Sequence, residues 1–347
     1  MQQSTSKKIS YLQFISALMI IGLHTVFASY FNVGDEWLKR LHTWARDLFD
    51  MATATFFFLS AVLLMRSAQK NSWKTILIKK LRTIVVPYLL WTLVYIAARI
   101  IRGSLSAGAL CWPTLPEVVE WITTGPEFYI FWFLRVLLLL TAAYPLLCWC
   151  IQKRWPALLL GAGCTALAVL PCFRGWVVYE SPLYWLPVFL LGCWAGSEGF
   201  ARLEKHPLCP NKWGYVAAGL LLLGLGWLRR SLSIFYYGFW IVSPVLGWVL
   251  GDGLSKLPTP PWWVNASFFL YCCHMLVERY AVRIYLALLG TGRTAFVLGH
   301  IALPLLTAAL VLLLAALLRW LLPWAYRALT GDRQIRHSQT QGRSESA

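Results

Sequence analysis

The side chains whose types and spacing can do chemistry are ionisable groups set inside apolar stretches: His24, Arg135, His274, Glu278, Arg279 and His300. A charge at the middle of a bilayer costs about 3 kcal/mol or more, so such groups mark functional sites by default. His24 lies about 15 residues into a stretch starting near Ile9, or ~22 Å from that end at ~1.5 Å per helical residue. Gln13 shares its face, ~16 Å away, so a polar stripe runs up an otherwise apolar helix. Imidazole titrates near neutrality, which suits it to taking and returning a hydroxyl proton. His274 and Glu278 are four apart and can pair, with Arg279 placed to neutralise Glu278 or a carboxylate on another helix. Arg135 has no acidic partner nearby in sequence and needs one from another helix or from a bound anion. The bland alternative for each group is a hydrogen bond that joins helices. His300 reads as a packing or interfacial histidine.

The elements that must hold these groups are membrane helices. The 347 residues are 59% apolar and only 13% charged, which excludes a water-soluble enzyme, a coiled coil and a disordered regulator. The 20 Trp, 15 Tyr and 18 Phe are as expected of rings anchoring helices at bilayer interfaces. Ten stretches have the length and apolarity of spans, given roughly 20 residues for each. They run over Ile9–Tyr30, Leu48–Leu64, Ile84–Ile101, Tyr129–Ile151, Ala157–Phe173, Leu183–Gly199, Gly214–Leu228, Ile234–Leu250, Ser267–Leu289 and Ala295–Leu322. The expected fold class is an all-α, polytopic membrane bundle in the cell membrane. The first stretch is too long and polar for a cleavable signal peptide. With the N-terminus inside, most Lys and Arg fall in cytoplasmic segments, among them Lys7, Lys8, Lys70, Lys74, Lys79, Lys80, Arg82, Arg202, Lys205, Arg333 and Arg336, so both termini are expected in the cytoplasm. The net charge of +17 comes without a compact basic domain or stacking motif, so membrane lipid, not nucleic acid, is the expected partner.

Residues 1–328 read as one membrane domain and 329–347 as a polar, disordered cytoplasmic tail. Between spans three and four, Pro116 suits the start of a short surface helix over Glu117–Ile122, and Glu120 and Glu127 add to the acidic character of that loop. None of the nine cysteines forms a CxxC pair, so no zinc or dithiol site is signalled; Cys111 and Cys172 are the pair that could meet outside. HExxH, P-loop and GxSxG patterns are absent, and no metal site is expected.

Five segments, in order, resemble the acyltransferase-3 family of integral membrane acyltransferases. Tyr11 to His24 is similar to its first helix, in which a basic residue, ten others and a His follow one another. Phe56-Phe-Phe-Leu-Ser60 is similar to its FFxxSG helix, Lys79-Lys80-Leu-Arg82 with Pro87-Tyr88-Leu-Leu-Trp91 to its basic segment and PYxxW, Trp132-Phe-Leu134 to its WFL helix, and Tyr271-Cys-Cys-His274 to its YxxH. Three positions depart: Gln13 stands for the basic residue, Ser10 for a common Asp, and Ala61 for the Gly after Ser60. The resemblance implies transfer of an acyl group other than an aminoacyl group, usually acetyl, from cytoplasmic acyl-CoA to a hydroxyl of an extracytoplasmic glycan or other cell-envelope acceptor. Acetyl-CoA is then a donor substrate, and no tightly bound cofactor is expected. His24 is assigned as base and Asp50, or its neighbour Asp47, as the carboxylate orienting it. Gln13, Lys79, Lys80, Arg82, Trp132 and Arg135 are assigned to the donor, and Ser60, His274 and Glu278 to the substrate path. Two other readings stand beside this one. A transporter or flippase would use the same intramembrane His, Glu and Arg as a substrate or proton path. A catalytically inactive relative is suggested by Gln13.

Overall fold

A computed structural model describes residues 3–25, 31, 34–124, 126–173, 175–199 and 211–332. Among them every regular element is helical. In chain order these are α1 (Gln3–Thr25), α2 (Glu36–Phe49), α3 (Met51–Ala68), α4 (Trp73–Lys80), a π-turn over Leu81–Val85, α5 (Val86–Ala107), α6 (Leu115–Thr124), α7 (Pro126–Tyr129), α8 (Trp132–Ala142), α9 (Tyr144–Lys153), α10 (Trp155–Val169), α11 (Pro182–Trp194), α12 (Lys212–Leu228), α13 (Ser233–Leu250), α14 (Ser267–Leu289), α15 (Arg293–Leu321) and α16 (Pro323–Thr330). Helix starts carry the expected chemistry. Asp35 accepts from Trp37 N–H, Asn211 from Gly214 N–H and Ser181 from Leu183 N–H, while proline opens α5, α9, α10, α11 and α16. The surface helix foreseen after Pro116 is α6. There the Glu117 carboxylate accepts from the backbone N–H and hydroxyl of Thr114, which lowers its pKa below the usual glutamate value.

The described residues of the ten apolar stretches are largely helical. Among the described residues four segments are long and apolar enough to cross a membrane by themselves: Glu36–Ala68, Trp73–Ala107, Ser233–Lys256 and Arg293–Leu321. The stretch read as one unbroken span over Tyr129–Ile151 is broken instead. Its halves α8 and α9 meet at 62°, because Pro145 at the second position of α9 has no N–H to continue the ladder. Large apolar side chains remain exposed along α5 (Leu89, Leu93, Ile101) and α15 (Leu298, Ile301, Leu305), as helices that face lipid require. The sequence reading placed no helix over Glu36–Phe49, yet α2 is there. Its sequence alternates apolar and charged positions, so its average polarity resembles that of a loop.

The core is built where small residues let helices close up. α3 packs on α11 along a seam in which a Cβ added to Gly192 would stand 2.5 Å from the Phe58 carbonyl oxygen and 2.7 Å from Ala61 Cβ. Ala61, where the family pattern has Gly, is therefore matched by a glycine on the opposing helix. Above the seam, Phe57 stacks on Trp185 with centroids 5.0 Å apart, and Trp185 meets Trp240 at 5.0 Å. At the other end of α1, the buried Lys8 ammonium pairs with Asp252 and lies 3.9 Å over the Trp248 ring; Tyr215 donates to the second Asp252 oxygen at 2.9 Å. That buried pair is hydrogen-bonded on both sides, which a desolvated ion pair needs.

The last helix braces the π-turn. Trp91 Nε1 donates to the Leu329 carbonyl at 3.0 Å. Gly331, at φ 64°, lies so close to Thr83 that a Cβ would stand 2.7 Å from its Cα. Residues 329–332 of the expected tail thus belong to this helix end and its closing turn. The rest of the tail, 333–347, and the loop residues Arg202 and Lys205 lie outside the described residues, as does the side chain of Glu127. Cys111 and Cys172 are both exposed and unpaired.

Candidate active site

Two cavities adjoin inside the bundle. The first, of about 530 Å³, is lined by Ile20, Leu23 and His24 of α1, His42, Thr43, Arg46 and Asp47 of α2, Asp50 at the α2–α3 junction, Thr53 and Phe56 of α3, Arg230, and the rings of Tyr129, Trp132, Phe133, Tyr179, Tyr236 and Tyr271. The second, of about 290 Å³, is lined by Ser10 and Gln13 of α1, Ser60, Lys80, Thr83, Asn265 and Ser267 among apolar side chains. Phe56, Phe133 and Tyr271 line both. The cavities are thus separated by three aromatic side chains. The polar stripe of α1 runs from one to the other, from Gln13 to His24, ~16 Å along the helix.

His24 is held against α14. Its ring lies 5.3 Å, centroid to centroid, from that of His274, which is fully buried. His274 Nδ1 is 2.7 Å from the Tyr271 carbonyl oxygen. A carbonyl only accepts, so Nδ1 carries the proton, and a neutral His274 has its lone pair on Nε2. That Nε2 is buried and without a hydrogen-bond partner. The pairing of His274 with Glu278 suggested by their spacing does not form, since Glu278 Oε2 is also buried without a partner. Glu278 lies one helical turn further along α14 and lines neither cavity.

Asp47 of α2 and Asp50 just after it are held by two arginines in the turn that follows α12. Arg230 makes a two-point contact with Asp47, at 2.5 and 2.7 Å. Arg229 donates to an Asp50 oxygen at 2.7 Å and to the Asp47 carbonyl at 2.9 Å, with its guanidinium over the Tyr236 and Trp240 rings at 4.4 and 4.3 Å. Tyr179 donates to the other Asp50 oxygen at 3.5 Å. Asp50 therefore reaches the wall of the His24 cavity, as expected, but its hydrogen bonds go to Arg229 and Tyr179 and not to His24. The neighbour that touches the His24 ring is His274.

The basic segment divides. Lys80 enters the second cavity and is the charged side chain in its wall, facing the same space as Gln13 and Ser60. Lys79 turns away and donates to Asn71 Oδ1 at 2.8 Å, and Arg82 is exposed. A π-turn follows Lys80, and Lys80 and Thr83, three residues apart, face the cavity together. Trp132 lines the His24 cavity, whereas Arg135 of the same helix is exposed and lines neither. Residues that sequence reasoning passed over are His42, Thr43 and Arg46 of α2, the arginine pair Arg229 and Arg230, and the tyrosines 129, 179 and 236. The signal available for α2 was the four-residue spacing of His42, Arg46 and Asp50, which places all three on one face.

Over residues 6–324, nearly its whole length, the chain matches the acyltransferase-3 family, described as an acyltransferase domain. The protein belongs to that family and is an integral membrane acyltransferase. Neither the curated proteins nor the solved structures contain a match to it.

Proposed function

We propose that the protein transfers an acyl group, most simply acetyl, from acyl-CoA at the cytoplasmic face to a hydroxyl of a glycan or other cell-envelope acceptor on the opposite side. The observation that carries this reading is the pair of adjoining cavities, one holding Lys80, Gln13 and Ser60 and the other His24, with Phe56, Phe133 and Tyr271 between them. With the N-terminus inside, as the excess of Lys and Arg in that set of segments supports, the Lys80 cavity opens toward the cytoplasm. The ammonium suits a CoA phosphate, and Gln13 and Ser60 supply uncharged hydrogen bonds along the pantetheine arm.

In the step proposed, the acceptor hydroxyl oxygen attacks the thioester carbonyl while His24 takes the hydroxyl proton. The C–S bond breaks, and the leaving thiolate takes that proton back from the imidazolium, giving the ester and free CoA thiol. His274 acts as a positioning residue, its buried ring packed 5.3 Å from that of His24 and limiting how that imidazole can turn. Asp50, held by Arg229 and Tyr179, fixes the position of α2 and α3 beside His24. Trp132 bounds the acceptor side. The family match favours this reading over a transporter, for which neither cavity holds a paired His–Glu relay.

Labelled acetyl-CoA and purified protein, mixed with a polysaccharide fraction from the envelope of the producing cells, give the test. Base-labile label in the polysaccharide that disappears with His24→Ala supports the reading, and equal labelling by that variant sinks it.

A further inference from the structure

The His24 cavity contains a second imidazole that the step above does not use. His42, on α2, lines the same cavity and is itself 6% exposed. Its Nδ1 lies 2.9 Å from His300 Nε2, and His300 Nδ1 lies 3.0 Å from the Phe296 carbonyl oxygen one turn back on α15. The direction of this chain is dictated from its far end. The carbonyl only accepts, so His300 donates from Nδ1; with both rings neutral its Nε2 is the acceptor, and His42 must donate from Nδ1. The free lone pair of His42 is then on Nε2, on the side of the ring away from His300. The arrangement partly parallels that of His24 and His274: in both pairs an inner histidine is anchored on a backbone carbonyl of its own helix, but here the inner ring is also within hydrogen-bond distance of the histidine in the cavity wall, whereas His274 Nε2 makes no such bond. Phe296 packs edge-on against both rings, 5.3 Å from His42 and 5.1 Å from His300, and limits their rotation.

We infer that His42 is an acceptor-binding residue, and that His300 is the positioning residue that keeps its Nε2 a hydrogen-bond acceptor for an O–H of a polyhydroxylated substrate. The inference rests on the proposed function for the class of acceptor. It adds a requirement: the acceptor must present a second hydroxyl beside the one acylated. Thr43, Arg46 and Asp47, adjacent on α2, complete a polar wall opposite the tyrosines, as suits a saccharide that offers hydroxyls on its edge and C–H on its face.

The test is a binding titration without acyl donor, with the envelope polysaccharide fraction as probe and intrinsic tryptophan fluorescence as readout. His42→Phe is expected to weaken binding at least tenfold, and His42→Gln, whose amide oxygen can reach the Nε2 position, to stay within threefold of wild type. His300→Phe is expected to weaken binding about fivefold, and His300→Gln, whose oxygen still accepts from His42, to restore it. O-Methylated polysaccharide, which has lost its O–H donors, is expected not to bind. Wild-type protein that does not bind the fraction, His42→Phe that binds like wild type, or Gln variants no better than Phe would each overturn the assignment. Bound polysaccharide that is never acylated would overturn the proposed reaction instead, leaving the His42 comparison standing.

Discussion

His24 of α1 and His274 of α14 lie with their ring centroids 5.3 Å apart, 250 residues distant in sequence, and His274 has no hydrogen-bond partner at its Nε2 among the described residues. The ring packed against the proposed base is thus a second imidazole with an unused Nε2, whereas the carboxylates near it are already held by arginine.

Replacing His24 by Ala should remove transfer by about 10²–10⁴-fold, the usual contribution of a general base. Membrane insertion and yield should be unchanged, because α1 keeps its apolar contacts. His274→Gln should retain more activity than His274→Ala, since its longer side chain still fills part of the space against the His24 ring. Labelled-acetyl transfer, normalised to protein recovered in membranes, checks both.

Lys80 should matter to the donor more than its neighbours do. Lys80→Ala is expected to raise the KM for acetyl-CoA about tenfold, with the difference from wild type shrinking as salt rises. Lys79→Ala and Arg82→Ala should each change it by less than threefold, since the first side chain is bound to Asn71 and the second is exposed. Equal effects at all three positions would return the basic segment to a role in topology.

Gln13→Arg bears on the departure from the family pattern. Gln13 shares its cavity with Lys80, so a cation is already present there. The substitution should therefore raise turnover by no more than severalfold. Activity found in the Arg variant and absent from wild type would identify the natural chain as an inactive relative.

The Arg229 guanidinium is 1% exposed and contacts Asp50 and the Asp47 carbonyl. Arg229→Met should destabilise the protein by about 3–5 kcal/mol, because it strands Asp50 without its partner. Arg229→Met combined with Asp50→Leu should cost less than Arg229→Met alone. Thermal unfolding in detergent, read by tryptophan fluorescence, measures the difference.

Gly192→Val should lower the yield of folded protein sharply. Its side chain would meet the Phe58 carbonyl oxygen, a backbone atom that cannot rotate away. Recovery after detergent extraction reports this directly.

The all-helical, membrane-spanning character was legible because a membrane helix must satisfy its backbone internally and present apolar side chains to lipid, and both demands leave a long local signature, although four or five candidate spans, not ten, stand out among the described residues. His24, Gln13 and His274 were legible for the converse reason: a polar side chain in such a run is costly and stands out. What stayed hidden depends on contacts between distant segments. α2 is amphipathic and short, so its charges read as loop charges, and with it went His42 and Arg46. Arg229 and Arg230 were read as part of a connecting loop until Asp47 and Asp50, some 180 residues earlier, were brought beside them. His300 was taken for a packing histidine because its partner lies 258 residues away. The division of Lys79, Lys80 and Arg82 depends on which side of the helix meets the cavity and on Asn71 holding Lys79, neither of which a run of basic residues reports.

The aromatic partition formed by Phe56, Phe133 and Tyr271 also bears on the cell's energy supply. On the proposed reaction the two substrates come from opposite compartments, and a catalyst of that kind must not become a hole that conducts protons and discharges the membrane. Phe56, Phe133 and Tyr271 line both cavities, so on that proposal the rings that pass a thin acyl chain are also the ones that must keep water and ions on the two sides apart.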